Sequence, residues 1–164
     1  MTGRTTNHGS SMDARETAGS RDAGEWPHLE EETHLAILND APYGLLLADA
    51  NGTCRYINRT FMKITGYDRQ DIPTLAVWFE HAHPNPAYRQ QVAGIWQELI
   101  SRHRSAMVVT AVCRDGKVRE IDMRLTPLEN EYSLVTILDV TEEKKAEELL
   151  RQTTSELSAV IDAF

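Results

Sequence analysis

At 164 residues and 41% hydrophobic content, the chain has the length and apolar material for one domain with a single core, plus tails. Its formal net charge of −8 argues against a nucleic-acid backbone or an anionic membrane surface as the main partner. No apolar run is long enough to span a bilayer, and the N-terminus has no hydrophobic signal region. Cys54 and Cys113 form neither a disulfide framework nor a metal-type spacing, so a reducing, cytoplasmic setting is expected.

Residues 1–25 are rich in Gly, Ser, Thr, Arg and Asp, with Met1 and Met12 their only large apolar residues, and read as a disordered or leader segment. The pattern changes at Trp26 and Pro27. Leu29–Asn39 reads as a helix that ends before Pro42 and Gly44. Tyr43–Asp49 and Thr53–Asn58 are β-like runs around Asn51-Gly52, which predicts a hairpin. Arg59–Thr65 predicts a short helix stopped by Gly66, and Asp68–Trp78 predicts short helical turns.

Asn85 and Pro86 open the clearest helix, because Asn is a favoured cap and Pro a favoured first residue. Tyr88, Val92, Ile95, Trp96 and Leu99 then fall on one stripe that should lie on a core. Ala106–Arg114 and Lys117–Leu125 flank Asp115-Gly116, read as a two-residue hairpin turn. That register pairs Thr110 with Ile121 and Val108 with Met123 on one face, leaving Glu120, Asp122 and Arg124 on the other, opposite Ala111, Val109 and Met107. Tyr132–Leu138 is apolar on both faces, which predicts a central strand covered on both sides.

Asp139–Leu150 follows directly. Thr141 is read as the N-cap of a charged helix, with Glu142 and Glu143 in its first turn, where the helix dipole favours negative charge. Further on, Ala146, Leu150, Thr153, Leu157, Val160 and Phe164 are spaced by four and three, the seam of a coiled coil. Helices segregated to the middle of an antiparallel set of strands make the fold class α+β.

The segments LAILNDAPYGLLLADANGTCRYIN, RTFMKITGYDRQDIP, the Asp-Gly hairpin and DVTEEKKAEELL, in that order, resemble a PAS domain, a sensory module of bacterial signalling proteins. The resemblance implies a five-stranded antiparallel sheet of order 2-1-5-4-3, with helices on one face, an N-terminal cap helix and a C-terminal signalling helix. It divides the chain into a tail at 1–25, the PAS domain at 26–140 and a helix at 141–164 leading to a downstream domain. It makes Asp139 and Thr141 the joint that passes a signal to a histidine kinase, a diguanylate cyclase or another PAS unit. Leu157–Ala163 echoes Leu35–Ala41, so the expected neighbour is a second PAS domain.

Under that resemblance a pocket for a small organic ligand would be lined by Phe61, Ile64, Trp78, Tyr88, Trp96, Thr110, Met123 and Thr136, aromatics with a few polar groups. The alternative is that these side chains only fill the core. A parallel homodimer is expected through Ala146, Leu150, Leu157, Val160 and Phe164, together with an outer sheet face carrying Met107, Val109, Val135 and Ile137. The N-terminal helix, with Trp26, Leu29, Leu35 and Leu38, would cover part of that face.

Haem is disfavoured because Ala87–Ser101 contains no histidine, and His103 falls beside two arginines beyond its end. Flavin photochemistry is disfavoured because Thr53–Asn58, the nearest likeness to a reactive-cysteine motif, sits in the second strand. The implied strand order puts Cys54 and Cys113 on opposite edges, against a disulfide. His81 and His83 read as exposed loop histidines with no third metal ligand. No phosphate loop, nucleophile elbow or kinase or cyclase signature is present, so no catalytic residue is assigned. Three classes stay open: a sensory domain, a ligand-free dimerisation module, and a haem or flavin redox sensor.

Overall fold

The computed structural model describes residues 30–101 and 106–164, except for the side chains of residues 99–101. The expectations for residues 1–25, Trp26, Leu29, the Leu99 side chain and His103 fall outside what is described. The element order is α1 (Glu31–Asn39), β1 (Gly44–Ala48), β2 (Cys54–Ile57), α2 (Arg59–Thr65), α3 (Leu75–Ala82), α4 (Pro86–Ser101), β3 (Ala106–Val112), β4 (Val118–Pro127), the 3-10 turn Glu129–Glu131, β5 (Ser133–Asp139) and α5 (Thr141–Asp162). The five strands form one antiparallel sheet in the order β2-β1-β5-β4-β3, with β5 central as its two-faced apolar pattern requires.

Local signals explain most boundaries. Asn58 caps α2 by accepting from Phe61 N–H, and Gly66 closes that helix at φ 77°. Thr74 caps α3 through Val77 N–H. Asn85 Oδ1 accepts from the N–H groups of Ala87 and Tyr88 at the start of α4. On α4, Val92 and Trp96 are buried as the stripe predicts, whereas Ile95 stays exposed.

Both hairpins turn in the same way, and this corrects the faces of β3. Gly116 N–H bonds the Cys113 carbonyl, Cys113 N–H bonds the Lys117 carbonyl, and Gly116 sits at φ 80°. The loop is therefore Arg114–Gly116, a turn followed by a left-handed glycine, and not a two-residue turn. The Asp49–Thr53 hairpin repeats these bonds, with Gly52 at φ 77°. The extra residue shifts the register by one, so Val109 pairs with Ile121, Met107 with Met123 and Thr110 with Glu120. A one-residue slip moves every side chain of a strand to the other face.

The inner face consequently carries Leu46, Ala48, Val109, Ile121, Met123, Val135 and Ile137, all buried in one cluster with Phe61, Trp78 and Trp96 from the helices. Val109, Val135 and Ile137 are core residues, not members of an outer dimer face as the sequence reading had them, and Met107 packs against the same cluster. On β4 the expected division holds: Ile121 and Met123 lie inside, while Glu120, Asp122 and Arg124 lie outside. The outer face is not covered as expected for β5: Val108 and Leu138 are exposed near those charges. Helix α1 buries no residue and leaves Leu35, Ile37 and Leu38 exposed. It is held at its C-terminal end by hydrogen bonds, with Asn39 Oδ1 accepting from Tyr56 Oη and Arg59 N–H.

Candidate functional site

The junction between β5 and α5 is built around Asp139. Its Oδ1 accepts from the Thr141 N–H at 3.0 Å and from the Thr141 hydroxyl, while its Oδ2 is paired with Arg119 of β4. The Thr141 hydroxyl oxygen accepts from Glu120 N–H at 3.0 Å, and Val140 N–H donates to the Glu120 carbonyl at 2.8 Å. Thr141 is therefore the first residue of α5 and not its N-cap; Val140 precedes the helix and its side chain caps nothing. Burial pushes the Asp139 carboxyl upward, but the two Thr141 bonds and Arg119 outweigh it and hold the group below the usual carboxylate range. The chemistry available here is a clasp: one carboxylate ties the exit helix to the neighbouring strand.

Beyond the clasp, α5 has no buried residue. Leu150, Leu157, Val160 and Phe164 are all exposed, as are Leu149 and Ile161. A groove of about 600 Å³ runs between the start of α5 and the outer face, lined by Val108, Val118, Glu120, Lys144, Leu149 and Gln152 among others.

The residues read from sequence as pocket-lining divide between the two faces. Phe61, Trp78, Trp96 and Met123 lie in the inner cluster, with Ile64 and Tyr88 packed against it. Phe61 meets Trp78 edge-on at 5.2 Å, and Phe79 links Trp78 (5.7 Å) to Trp96 (5.3 Å). Thr110 and Thr136 face the other side of the sheet, opposite Glu120 and Arg124 respectively.

Two residues gain roles that the sequence reading did not assign. Asn58 is fully buried, and its side chain makes four hydrogen bonds: Oδ1 accepts from Leu45 N–H (2.8 Å) and Phe61 N–H (2.9 Å), and Nδ2 donates to the carbonyls of Leu38 (2.8 Å) and Tyr43 (2.9 Å). It thus joins α1, β1 and α2. Its place just before Arg59–Thr65 marks a helix cap, but nothing local points to the other three bonds. His83 is 3% exposed, correcting its reading as a solvated loop residue. Its ring lies against Phe79 and Tyr88, with Nδ1 donating to the Thr110 carbonyl at 3.1 Å. His81 is exposed beside Tyr67, but it lies in the last turn of α3 and not in a loop.

A family model described as the PAS fold matches residues 38–145. The chain belongs to the PAS family. Solved structures with the same fold include an RNA-binding light-oxygen-voltage receptor, 21% identical with a TM-score of 0.64 over 84% of this chain. This chain spans 41% of that receptor. A sensory box histidine kinase/response regulator from Burkholderia thailandensis is 26% identical, with a TM-score of 0.57 over 79% of this chain and 99% of the other. The N-terminal domain of a diguanylate cyclase with a PAS/PAC sensor from Marinobacter aquaeolei is 14% identical, with a TM-score of 0.53 over 62% of this chain and 98% of the other. No curated protein sequence matches the chain.

The matched PAS segment ends within the first turns of α5, so most of the seam lies beyond it. In this PAS domain Cys54 is buried on β2, its thiol pushed up to about 11 by burial and by the nearby Asp49 charge. Cys113 is also buried and free, one residue beyond β3, and burial raises its thiol as well. Thiols held protonated in this way are poor nucleophiles. Among the described residues no group of three or more His, Cys, Asp and Glu is arranged to hold a metal ion, and no helix is long and apolar enough to cross a membrane.

Proposed function

We propose that this chain is the sensory module of a multidomain bacterial signalling protein, in which the state of the PAS domain is read out at Asp139 and Thr141 and carried away by α5. The domain would occupy 26–140, and the helix at 141–164 would lead to a histidine kinase, a diguanylate cyclase or a further PAS unit, in the cytoplasm. The clasp carries this reading. A helix tied to its domain through one carboxylate and one hydroxyl can hold two positions that differ by a few bonds, and an input that favours one of them shifts the population. The kinase and cyclase contexts of the structural relatives accord with such a role.

The module would act as a parallel homodimer. A 22-residue helix with no buried residue gains little from its own domain, and Ala146, Leu150, Leu157, Val160 and Phe164 supply a seam for a second copy. Sedimentation should show a dimer; a monomer at high concentration with α5 intact overturns this part.

The output test uses the chain fused to a kinase domain at its C-terminus. One residue inserted after Lys145 rotates the rest of α5 by about 100°. Thr141→Pro removes both the N–H and the hydroxyl that Asp139 binds. Each should uncouple kinase output while the thermal transition of the domain is retained, and unchanged output means that α5 carries no signal.

The input would be a small organic ligand at the inner cluster. The second reading, a dimerisation module without a ligand, is favoured by the mutual packing of Phe61, Trp78 and Trp96. A ligand selective for the folded state raises the melting temperature and a module without one shows no shift, so a thermal screen of the purified chain separates the two. A haem or flavin sensor would absorb visible light, and one spectrum decides that case.

A further inference from the structure

Thr110 and Glu120 face each other across β3 and β4, and their main-chain groups point in opposite directions. Thr110 N–H donates to the Tyr88 hydroxyl at 2.9 Å, and its carbonyl accepts from His83 Nδ1 at 3.1 Å. Glu120 N–H donates to the Thr141 hydroxyl oxygen at 3.0 Å, and its carbonyl accepts from Val140 N–H at 2.8 Å. This is the non-hydrogen-bonded type of antiparallel pair, in which facing side chains approach most closely. Here they meet directly: the Thr110 hydroxyl donates to Glu120 Oε1 at 3.0 Å.

The result is a continuous rung. It begins at the α3–α4 corner, where His83 packs against Phe79 and Tyr88 and its carbonyl accepts from Arg89 at 3.2 Å. It crosses two strands and ends on Val140 and on Thr141, the first residue of α5. An edge strand needs its free N–H and C=O groups covered, and Tyr88 and His83 do this for β3. Edge protection alone does not require the side-chain bond from Thr110 to Glu120. Nor does it require the main chain of Glu120 to continue onto the exit helix, beyond the last β4–β5 pair, Ile121 with Asp139.

We propose that the Thr110–Glu120 rung is the tie through which the α3–α4 corner sets the position of the exit helix, with Tyr88, Thr110 and Glu120 as positioning residues for α5. This rests on the reading of α5 as the output helix. Coupling between separated sites is established only by measuring it. The measurement is amide exchange by NMR on the 164-residue chain. Tyr88→Phe removes the acceptor of Thr110 N–H without altering the aromatic packing. It should speed exchange at Glu120 and Val140 by about fivefold or more, the low end of measured couplings. Thr110→Val keeps the shape of the residue but cuts the bond to Glu120, and in that background Tyr88→Phe should leave Glu120 and Val140 unchanged.

Two results overturn the proposal: an effect of Tyr88→Phe confined to Thr110 and its neighbours, or an effect on Val140 that survives Thr110→Val. The fusion with an insertion after Lys145 keeps the two readings apart. A silent insertion with responsive exchange defeats the output role and leaves the rung standing. An uncoupling insertion with unresponsive exchange defeats the rung alone.

Discussion

Asp139 accepts hydrogen bonds from both the amide and the hydroxyl of Thr141, two residues further along the chain, and pairs with Arg119 through its other oxygen. Asp139→Ala strips both contacts from the first residue of α5. It also leaves a half-buried guanidinium whose Nε has no hydrogen-bond partner among the described residues. The expected loss is about 1–3 kcal/mol by urea unfolding, reduced toward the low end by the partial exposure of Arg119. The carboxyl is held low in the folded state, so in the native chain its contribution is full above about pH 4 and is lost as the pH falls through the folded-state value. Asp139→Ala should lack that part of the acid slope.

Asn58→Ala should be among the most damaging polar substitutions. It removes four hydrogen bonds and leaves Leu45 N–H, Phe61 N–H and the carbonyls of Leu38 and Tyr43 without their partner. A loss of about 2–4 kcal/mol in denaturant unfolding is expected. Asn58→Asp keeps the acceptor but not the donor. It sets a buried carboxylate oxygen against the carbonyls of Leu38 and Tyr43, so it should loosen α1 and the entry to β1, seen as faster amide exchange in Glu31–Asn39 with α2 still protected.

Gly44→Ala tests the approach of β1 to α2. A Cβ there would stand 2.5 Å from Ile137 Cγ1 and 2.9 Å from the Phe61 Cα. The isoleucine can shift, but the main chain of α2 cannot without moving the core. The expected cost is about 1–3 kcal/mol. Ile137→Ala should not rescue it, because the backbone contact remains; a full rescue would show that the clash with Phe61 is relieved cheaply.

His83 predicts a pH dependence near neutrality. Burial lowers its pKa, the bond to the Thr110 carbonyl works the other way, and Arg89 lowers it again, with a net shift downward. The unfolded chain takes up this proton near pH 6.5 while the folded ring resists it. Stability should therefore be full well above about pH 6.5 and decline as the pH falls through about 6.5 toward the lowered folded-state value. Melting temperatures of the native chain and of His83→Gln across that window check this, and identical slopes would exclude His83 as the source.

Much of the architecture was legible because its signals are local. Asn85-Pro86 opens α4, Gly66 ends α2, and the two-faced apolar run of β5 announces a central strand, each through the chemistry of one or two residues. The β3 face was not legible in the same way. Asp-Gly is compatible with a loop of two residues or of three, and only the bonds from Gly116 to Cys113 and from Cys113 to Lys117 choose between them. That choice turned Thr110 outward and Val109 inward. For β5, alternation separates Val135 and Ile137 from Leu134, Thr136 and Leu138, but both sets are largely apolar, so the register against β4 decides which set is buried.

The sequence by itself determined most of the elements and the spacing of a helix that leaves the last strand. Those properties follow from caps, turn residues and hydrophobic periodicity, which act over a few residues. Tertiary structure alone decided that Asn58 is a four-way junction, that His83 is buried, and that Thr110 meets Glu120 on the way to Thr141. Each of these depends on groups from elements far apart in the chain, and their hydrogen bonds exist only once the sheet register and the placement of the helices have brought donors and acceptors within reach.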